Sequence, residues 1–268
     1  MRKFLRFLFG LNAASIIRGC RLGPRELVRA GYASLAAAYP FEKRDSADRR
    51  KIKEVLDLIP VASLVDILNT ILPENKRAIR LELFRHQDGS IPIHEAVALQ
   101  SILVAESPKE VLEIGTYMGH TTKAMAENLP DAIIHTVDLP PDFAPQENDH
   151  ENIPKDDFHL IRRRVVGREF KDQAVETRIR QYFGDTALMD FREFGHPTFF
   201  FIDGSHTYEY CKQDSEKCFA LCNGACTFLW HDFDMGHPGV VEFMAEWRAM
   251  GRNILRIEGT AIAYWKSS

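Results

Sequence analysis

The 268-residue chain lacks most of the marks that would assign a function at a glance. Its five cysteines (Cys20, Cys211, Cys218, Cys222, Cys226) form no C-x-x-C pair and no zinc-finger spacing. Four of them fall in one helix-to-strand stretch, which reads as small core residues in a reducing compartment, so a cytoplasmic location is expected. No G-x-x-x-x-G-K-[ST] is present, which excludes a P-loop. No apolar run reaches the roughly 20 residues of a membrane span. Basic residues interleaved with aromatics are missing beyond residue 90, where 17 Lys/Arg face 28 Asp/Glu; a nucleic-acid partner is not expected.

The basic excess belongs to residues 1–90, with 17 Lys/Arg against 10 Asp/Glu. No acid occurs before Glu26, and Arg2, Lys3 and Arg6 interleave with Phe4, Leu5, Phe7, Leu8 and Phe9. Such a basic amphipathic helix packs on its own domain or on a sister subunit of a homo-oligomer; contact with an anionic membrane is the weaker alternative. Arg6 interrupts any secretory apolar core.

What is present centres on Val111-Leu-Glu-Ile-Gly-Thr-Tyr-Met-Gly-His-Thr-Thr122. β-formers stop at Gly115, Gly119 follows, and a helix-prone segment begins with Thr121 as its expected N-cap. A strand turning through glycine into a helix lets a ligand approach backbone N–H groups. Tyr117 stands where a G-x-G-x-x-G fingerprint needs its middle glycine, so a pyrophosphate would meet a bulky side chain. Glu113, just before the turn, suits a ligand with a positive end.

Residues 1–88 read as an all-helical region, with Val61–Leu72 as one of its helices, and the turn Asp88-Gly89-Ser90 leads into a helix over Ile93–Ala105. From there strands and helices alternate. Ala132–Asp138, Arg178–Phe183, Thr198–Asp203 and Cys226–His231 read as strands, Tyr208–Leu221 and Val240–Met250 as helices, and Asn253–Ile257 with Ala261–Trp265 as a terminal hairpin. The run Phe199-Phe-Phe-Ile202 is continuous, as expected of a strand covered on both faces. Leu139 to about Arg168 is too long for a tight connection and reads as a functional loop. Strand ends carry Glu113, Asp138, Asp185, Asp203 with His206, and His231-Asp232; a doubly wound sheet lines these up along one edge, where ligands bind.

With these residues in hand, the chain resembles the class I S-adenosylmethionine-dependent methyltransferases, in the small-molecule O-methyltransferase branch that includes macrolide-sugar enzymes. The carriers are Leu112-Glu-Ile-Gly-Thr-Tyr-Met-Gly-His-Thr121, Val137-Asp138, Gly184-Asp185, Phe201-Ile-Asp-Gly-Ser-His-Thr-Tyr208 and Leu229-Trp-His-Asp232. The resemblance implies an α/β, Rossmann-like seven-stranded sheet of order 3-2-1-4-5-7-6 with the last strand antiparallel. That domain would span residues 89–268, after a helical cap or oligomerisation region over 1–88. It further implies that Glu113, Gly115, Thr116, Tyr117, Gly119 and Thr121 surround the methionine part of S-adenosyl-L-methionine, with Gly89 and Ser90 at its carboxylate. Asp138 would take the ribose hydroxyls and Asp185 would sit at the adenine.

The expected reaction is methyl transfer to a hydroxyl of a small molecule, a sugar or natural product. Its acceptor loses a proton to a base or to a metal-lowered pKa. His206 is the base candidate, with Asp203 and His231 beside it, and Asp203 with Asp232 could hold Mg²⁺. Where the metal-dependent relatives have an acid or amide, His231 stands, which weakens magnesium. Plain alternatives stand beside these readings: Asp203-Gly204 as a turn, His206 as a cap, His231 as a core histidine, Tyr208 and Tyr210 as core and rim aromatics, Arg162-Arg-Arg164 as a solvated face. The rival functions are an NAD-linked oxidoreductase and a non-catalytic cofactor-binding or interaction protein.

Overall fold

The computed structural model describes residues 46–71, 78–81, 89–145, 153 and 157–267. The basic stretch at the start of the chain, Cys20 and Asp88 lie outside them. The helices are α1 (Ser46–Leu58), α2 (Leu64–Ile71), α3 (Ile93–Glu106), α4 (His120–Asn128), α5 (Phe158–Arg163), α6 (Tyr208–Leu221) and α7 (Pro238–Ala249). The strands are β1 (Val61–Ala62), β2 (Glu110–Ile114), β3 (Ile133–Asp138), β4 (Ile179–Phe183), β5 (Phe199–Ile202), β6 (Thr227–Trp230), β7 (Leu255–Ile257) and β8 (Ala263–Lys266). Among the described helices none is long and apolar enough to cross a membrane.

The strands form one sheet in the order β1-β7-β8-β6-β5-β2-β3-β4. Strands β2 to β8 follow the expected order, with β8 antiparallel to both β6 and β7. The correction lies at the edge. Residues 61–62, expected to be helical, form an eighth strand parallel to β7, where the Arg256 N–H donates to Pro60 O (2.8 Å) and the Glu258 N–H to Ala62 O (2.9 Å). Pro60 leaves only its carbonyl to offer, which suits an edge.

Period-2 alternation divides the core between the two sheet faces. Leu112, Ile114, Phe200, Ile202, Phe228 and Trp230 point to one face, with α1, α6 and α7; Val111, Phe199, Phe201 and Leu229 point to the other, with α2, α3 and α4. All four residues of β5 are buried, which explains its unbroken apolar run. On the first face Trp247 of α7 meets Trp230 edge-on at 5.4 Å and Phe243 at 5.2 Å. Leu56 and Ile59, at and just after the end of α1, join this cluster, and Ile67 of α2 joins the other. Both faces being covered, the functional groups are left to the strand ends.

Candidate functional site

The turn after β2 is fixed by contacts that only particular residues allow. Gly115 has φ +102°, and a Cβ there would lie 2.0 Å from the Asp203 carbonyl oxygen, so the end of β5 passes directly against it. Tyr117 is itself left-handed at φ +47°, an uncommon state for an aromatic residue. Its N–H donates to Asp138 Oδ2 (2.6 Å), which ties the ends of β2 and β3 together. The Tyr117 ring lies against Gly89, where an added Cβ would come 3.0 Å from two ring carbons. Gly119, at φ +88°, is the N-cap of α4 in place of the expected Thr121, which is buried in the first turn instead. Gly119 has room for no side chain because the Phe170 ring would lie 2.6 Å from its Cβ.

Beneath this turn Glu113 is fully buried. Its Oε2 accepts from the hydroxyls of Thr122 and Thr136 (2.6 Å for Thr136), and the Thr116 and Thr136 hydroxyls share a 2.7 Å hydrogen bond. Glu113 Oε1 and Ser90 Oγ are buried with no hydrogen-bond partner. Unsatisfied buried polar atoms are uncommon and call for an explanation; a bound polar ligand supplies one. Burial pushes the Glu113 carboxyl up to about 8, although the two threonine hydroxyls pull the other way.

Asp138 ends β3 with its two oxygens already oriented. Oδ2 takes the Tyr117 N–H, and Oδ1 lies 3.4 Å from the Arg164 Nε in an ion pair. Burial raises its pKa, opposed by Arg164 and the N–H groups of Tyr117 and Leu139. Asp185 follows β4, where its Oδ1 accepts from the Ala187 N–H (2.8 Å) and the Tyr210 hydroxyl (3.0 Å).

A second centre joins the ends of β5 and β6. His231 Nδ1 lies 3.0 Å from Asp203 Oδ1 and 3.1 Å from Asp232 Oδ2, while its Nε2 meets Glu95 Oε2 at 2.7 Å. Glu95 is in turn held by the Ala261 N–H (2.6 Å). His206 Nε2 lies 2.7 Å from Asp232 Oδ2 and its Nδ1 3.4 Å from Asp157 Oδ2. His237 adds its Nδ1 at 3.5 Å from Asp232 Oδ1, with its ring 4.6 Å from that of His206. Burial alone would lower the pKa of both His206 and His231. The carboxylates together outweigh it, Asp232 and Asp157 at His206 and Asp232, Asp203 and Glu95 at His231, and both pKa values end well above the usual histidine value.

The structure therefore brings Asp203, His206, His231 and Asp232 into one cluster, and sets Gly89, Glu113, Gly115, Tyr117 and Asp138 around the turn next to it. Four residues of this neighbourhood were not singled out for these roles from sequence. Glu95 carries no sequence signal beyond its place in the first turn of α3, and Asp157 lies within the stretch read as a functional loop without standing out in it. Tyr210 looked like a rim aromatic. Arg164, expected on a solvated face, has a side chain only 2% exposed.

The sequence model of a family described as "Methyltransferase domain" matches residues 112–233. No curated protein matches the chain. Among solved structures, the chain is similar to SAH-bound PaMTH1, a methyltransferase of Podospora anserina, at 16% identity and a TM-score of 0.48, covering 85% of this chain and 97% of that one. It is also similar to the O-methyltransferase TomG of Streptomyces achromogenes, involved in tomaymycin synthesis and solved with SAM (14% identity, 78% and 90% covered, TM-score 0.46). A third is an O-methyltransferase of Bacillus cereus in complex with SAH (12%, 90% and 100%, 0.46). The segment similar to that family runs from within β2 through β6 and holds Glu113, Asp138, Asp185, Asp203 and Asp232.

Proposed function

We propose that this chain transfers the methyl group of S-adenosylmethionine to a hydroxyl of a small molecule. The observation that carries the reading is the pairing of two different polar centres on one sheet edge. One, around Glu113, Ser90 and Asp138, has buried acceptors still unpartnered. The other, around His206 and Asp232, can take a proton once His206 has given up its own.

Glu113 Oε1 accepts from the ammonium of the methionine part, the Ser90 hydroxyl donates to its carboxylate, and Asp138 accepts from the ribose hydroxyls. Asp185, already oriented by Tyr210, lies towards the adenine. A sulfonium methyl reacts by in-line displacement, so holding donor and acceptor in that geometry supplies much of the rate. His206 takes the acceptor's proton at Nδ1, the nitrogen opposite the one held by Asp232 at 2.7 Å, and Asp232 and Asp157 stabilise the imidazolium that forms.

Asp203, His231 and Asp232 would hold a divalent ion, their three ligand atoms lying within 4.8 Å of one another. Bound there, an ion would lower the pKa of the acceptor hydroxyl. The set pairs two carboxylates with an imidazole, which suits a nitrogen-tolerant ion better than Mg²⁺.

Calorimetric titration with S-adenosylhomocysteine and with NAD, followed by a screen of hydroxyl acceptors with labelled methyl donor, tests the proposal. Binding of the first ligand alone and label in an O-methyl product are expected. Tight NAD binding, or label appearing only on nitrogen or carbon, would refute it.

A further inference from the structure

One buried cation stands beside the site with no part in the chemistry above. Arg164 closes α5, and its N–H donates to Leu160 O at 3.0 Å. Its side chain then turns inward. Nη1 donates to Ile161 O (3.0 Å), Nη2 to Leu139 O (3.2 Å) and more weakly to Pro140 O (3.4 Å), and Nε faces Asp138 Oδ1 at 3.4 Å without a shaped hydrogen bond. Burying an arginine is expensive unless its charge is matched, and among the described residues the carboxylate ion-paired with it is Asp138. The fork thus does two things at once. It ties residues 139–140, which leave β3, back to α5, and it sets a fixed positive charge on one oxygen of the strand-end acid.

We propose that Arg164 is the positioning residue of the cofactor site: it keeps Asp138 ionised and turned so that its remaining lone pairs meet the ribose diol. The inference rests on the cofactor reading given above. An ionised carboxylate offers about four lone-pair positions. The Tyr117 and Leu139 N–H groups take two of them, Arg164 acts through its charge and not through a hydrogen bond, and the other two positions are left to accept hydroxyl protons. Without Arg164, burial would favour the protonated acid, which donates where the ribose needs an acceptor. The groups facing Asp138 are Arg164, the N–H groups of Tyr117 and Leu139, and the Glu113 carboxyl across the turn.

The test is a double-mutant cycle on the full chain, read as the dissociation constant of S-adenosylhomocysteine. Arg164→Gln should weaken binding about tenfold, the size of a lost charge-assisted contact. Arg164→Lys, which keeps the charge without the fork, should recover part of it. The Arg164→Gln to wild-type ratio of dissociation constants should grow as pH falls from 7.5 to 6, while kcat at saturating donor changes little. In an Asp138→Asn background the Arg164→Gln substitution should add no further loss. A loss that is equal in both backgrounds and flat with pH would make Arg164 purely structural and overturn the proposal. Tighter binding in Arg164→Gln would make it a plug of the site, which also overturns it. Unchanged binding in Asp138→Asn itself would instead sink the cofactor reading. Should Arg164→Gln not fold, Arg164→Lys with and without Asp138→Asn gives the same decision.

Discussion

Glu113→Gln is the substitution that most directly probes the physics of the site. The carboxyl titrates near pH 8 in the folded chain against an ordinary value of 4.5. An unfolded chain gives up this proton near pH 4.5 and the folded chain keeps it until near pH 8, so stability falls as pH rises across that window. At about 1.36 kcal/mol per tenfold change in proton affinity, this one group should remove about 3 kcal/mol of stability between pH 5.5 and 8.5. Glutamine cannot ionise. Its oxygen can still accept from Thr122 and Thr136, and its amide occupies the place of the unpartnered Oε1. Loss of shape or hydrogen bonding would therefore offset the variant equally at both pH values. Urea unfolding at pH 5.5, 7 and 8.5 measures the difference. The variant should gain on the wild type by about 3 kcal/mol from the first pH to the last, and saturating S-adenosylhomocysteine should flatten the wild-type slope by placing an ammonium at Oε1. Parallel stability curves would show that Glu113 is ionised in the folded chain, and the argument for a charge-hungry pocket would fail.

Three further outcomes follow from the same contacts. Gly115→Ala places a methyl 2.0 Å from the Asp203 carbonyl at φ +102°, so urea unfolding should show a loss above about 3 kcal/mol or no folded protein. Trp247→Ala empties the aromatic cluster with Trp230, Phe228, Phe243 and Trp265, and should cost about 3–5 kcal/mol by the same assay while sparing S-adenosylhomocysteine affinity. His206→Gln should lower kcat about 10²–10⁴-fold with little change in cofactor affinity. In the wild type kcat should climb with pH above neutrality, because Asp232 and Asp157 hold the proton on His206; a rate independent of pH and of His206 would assign the proton to another group.

What could be read from sequence and what could not divide along a physical line. Strands β2 to β8 were legible because period and turn chemistry are local: Phe199-Phe-Phe-Ile202 shows its burial on both faces in four consecutive letters. The rim acids were legible because a strand end is a local event and the parallel sheet gathers such ends on one edge. β1 was hidden because two residues carry no periodicity; only pairing with β7 makes Val61–Ala62 a strand. The partners of the site were hidden for a related reason. Glu95 reaches His231 across 136 positions of chain, and no pattern near either residue records that distance. Asp157 and Arg164 are the sharper case, because they bracket a six-residue helix, too short to show a face. From the two ends of that helix, one side chain meets His206 and the other meets Asp138. A charged triplet such as Arg162-Arg-Arg164 reads as solvated, and two of its members are exposed; the third is buried where residues 139–140 fold back and, with Ile161, supply carbonyls to it. The long excursion after β3 is thus more than a connection. It carries Asp157 to His206 and Arg164 to Asp138 at the two ends of one short helix, so if those residues have the proposed roles, displacing α5 should disturb donor binding and proton transfer together.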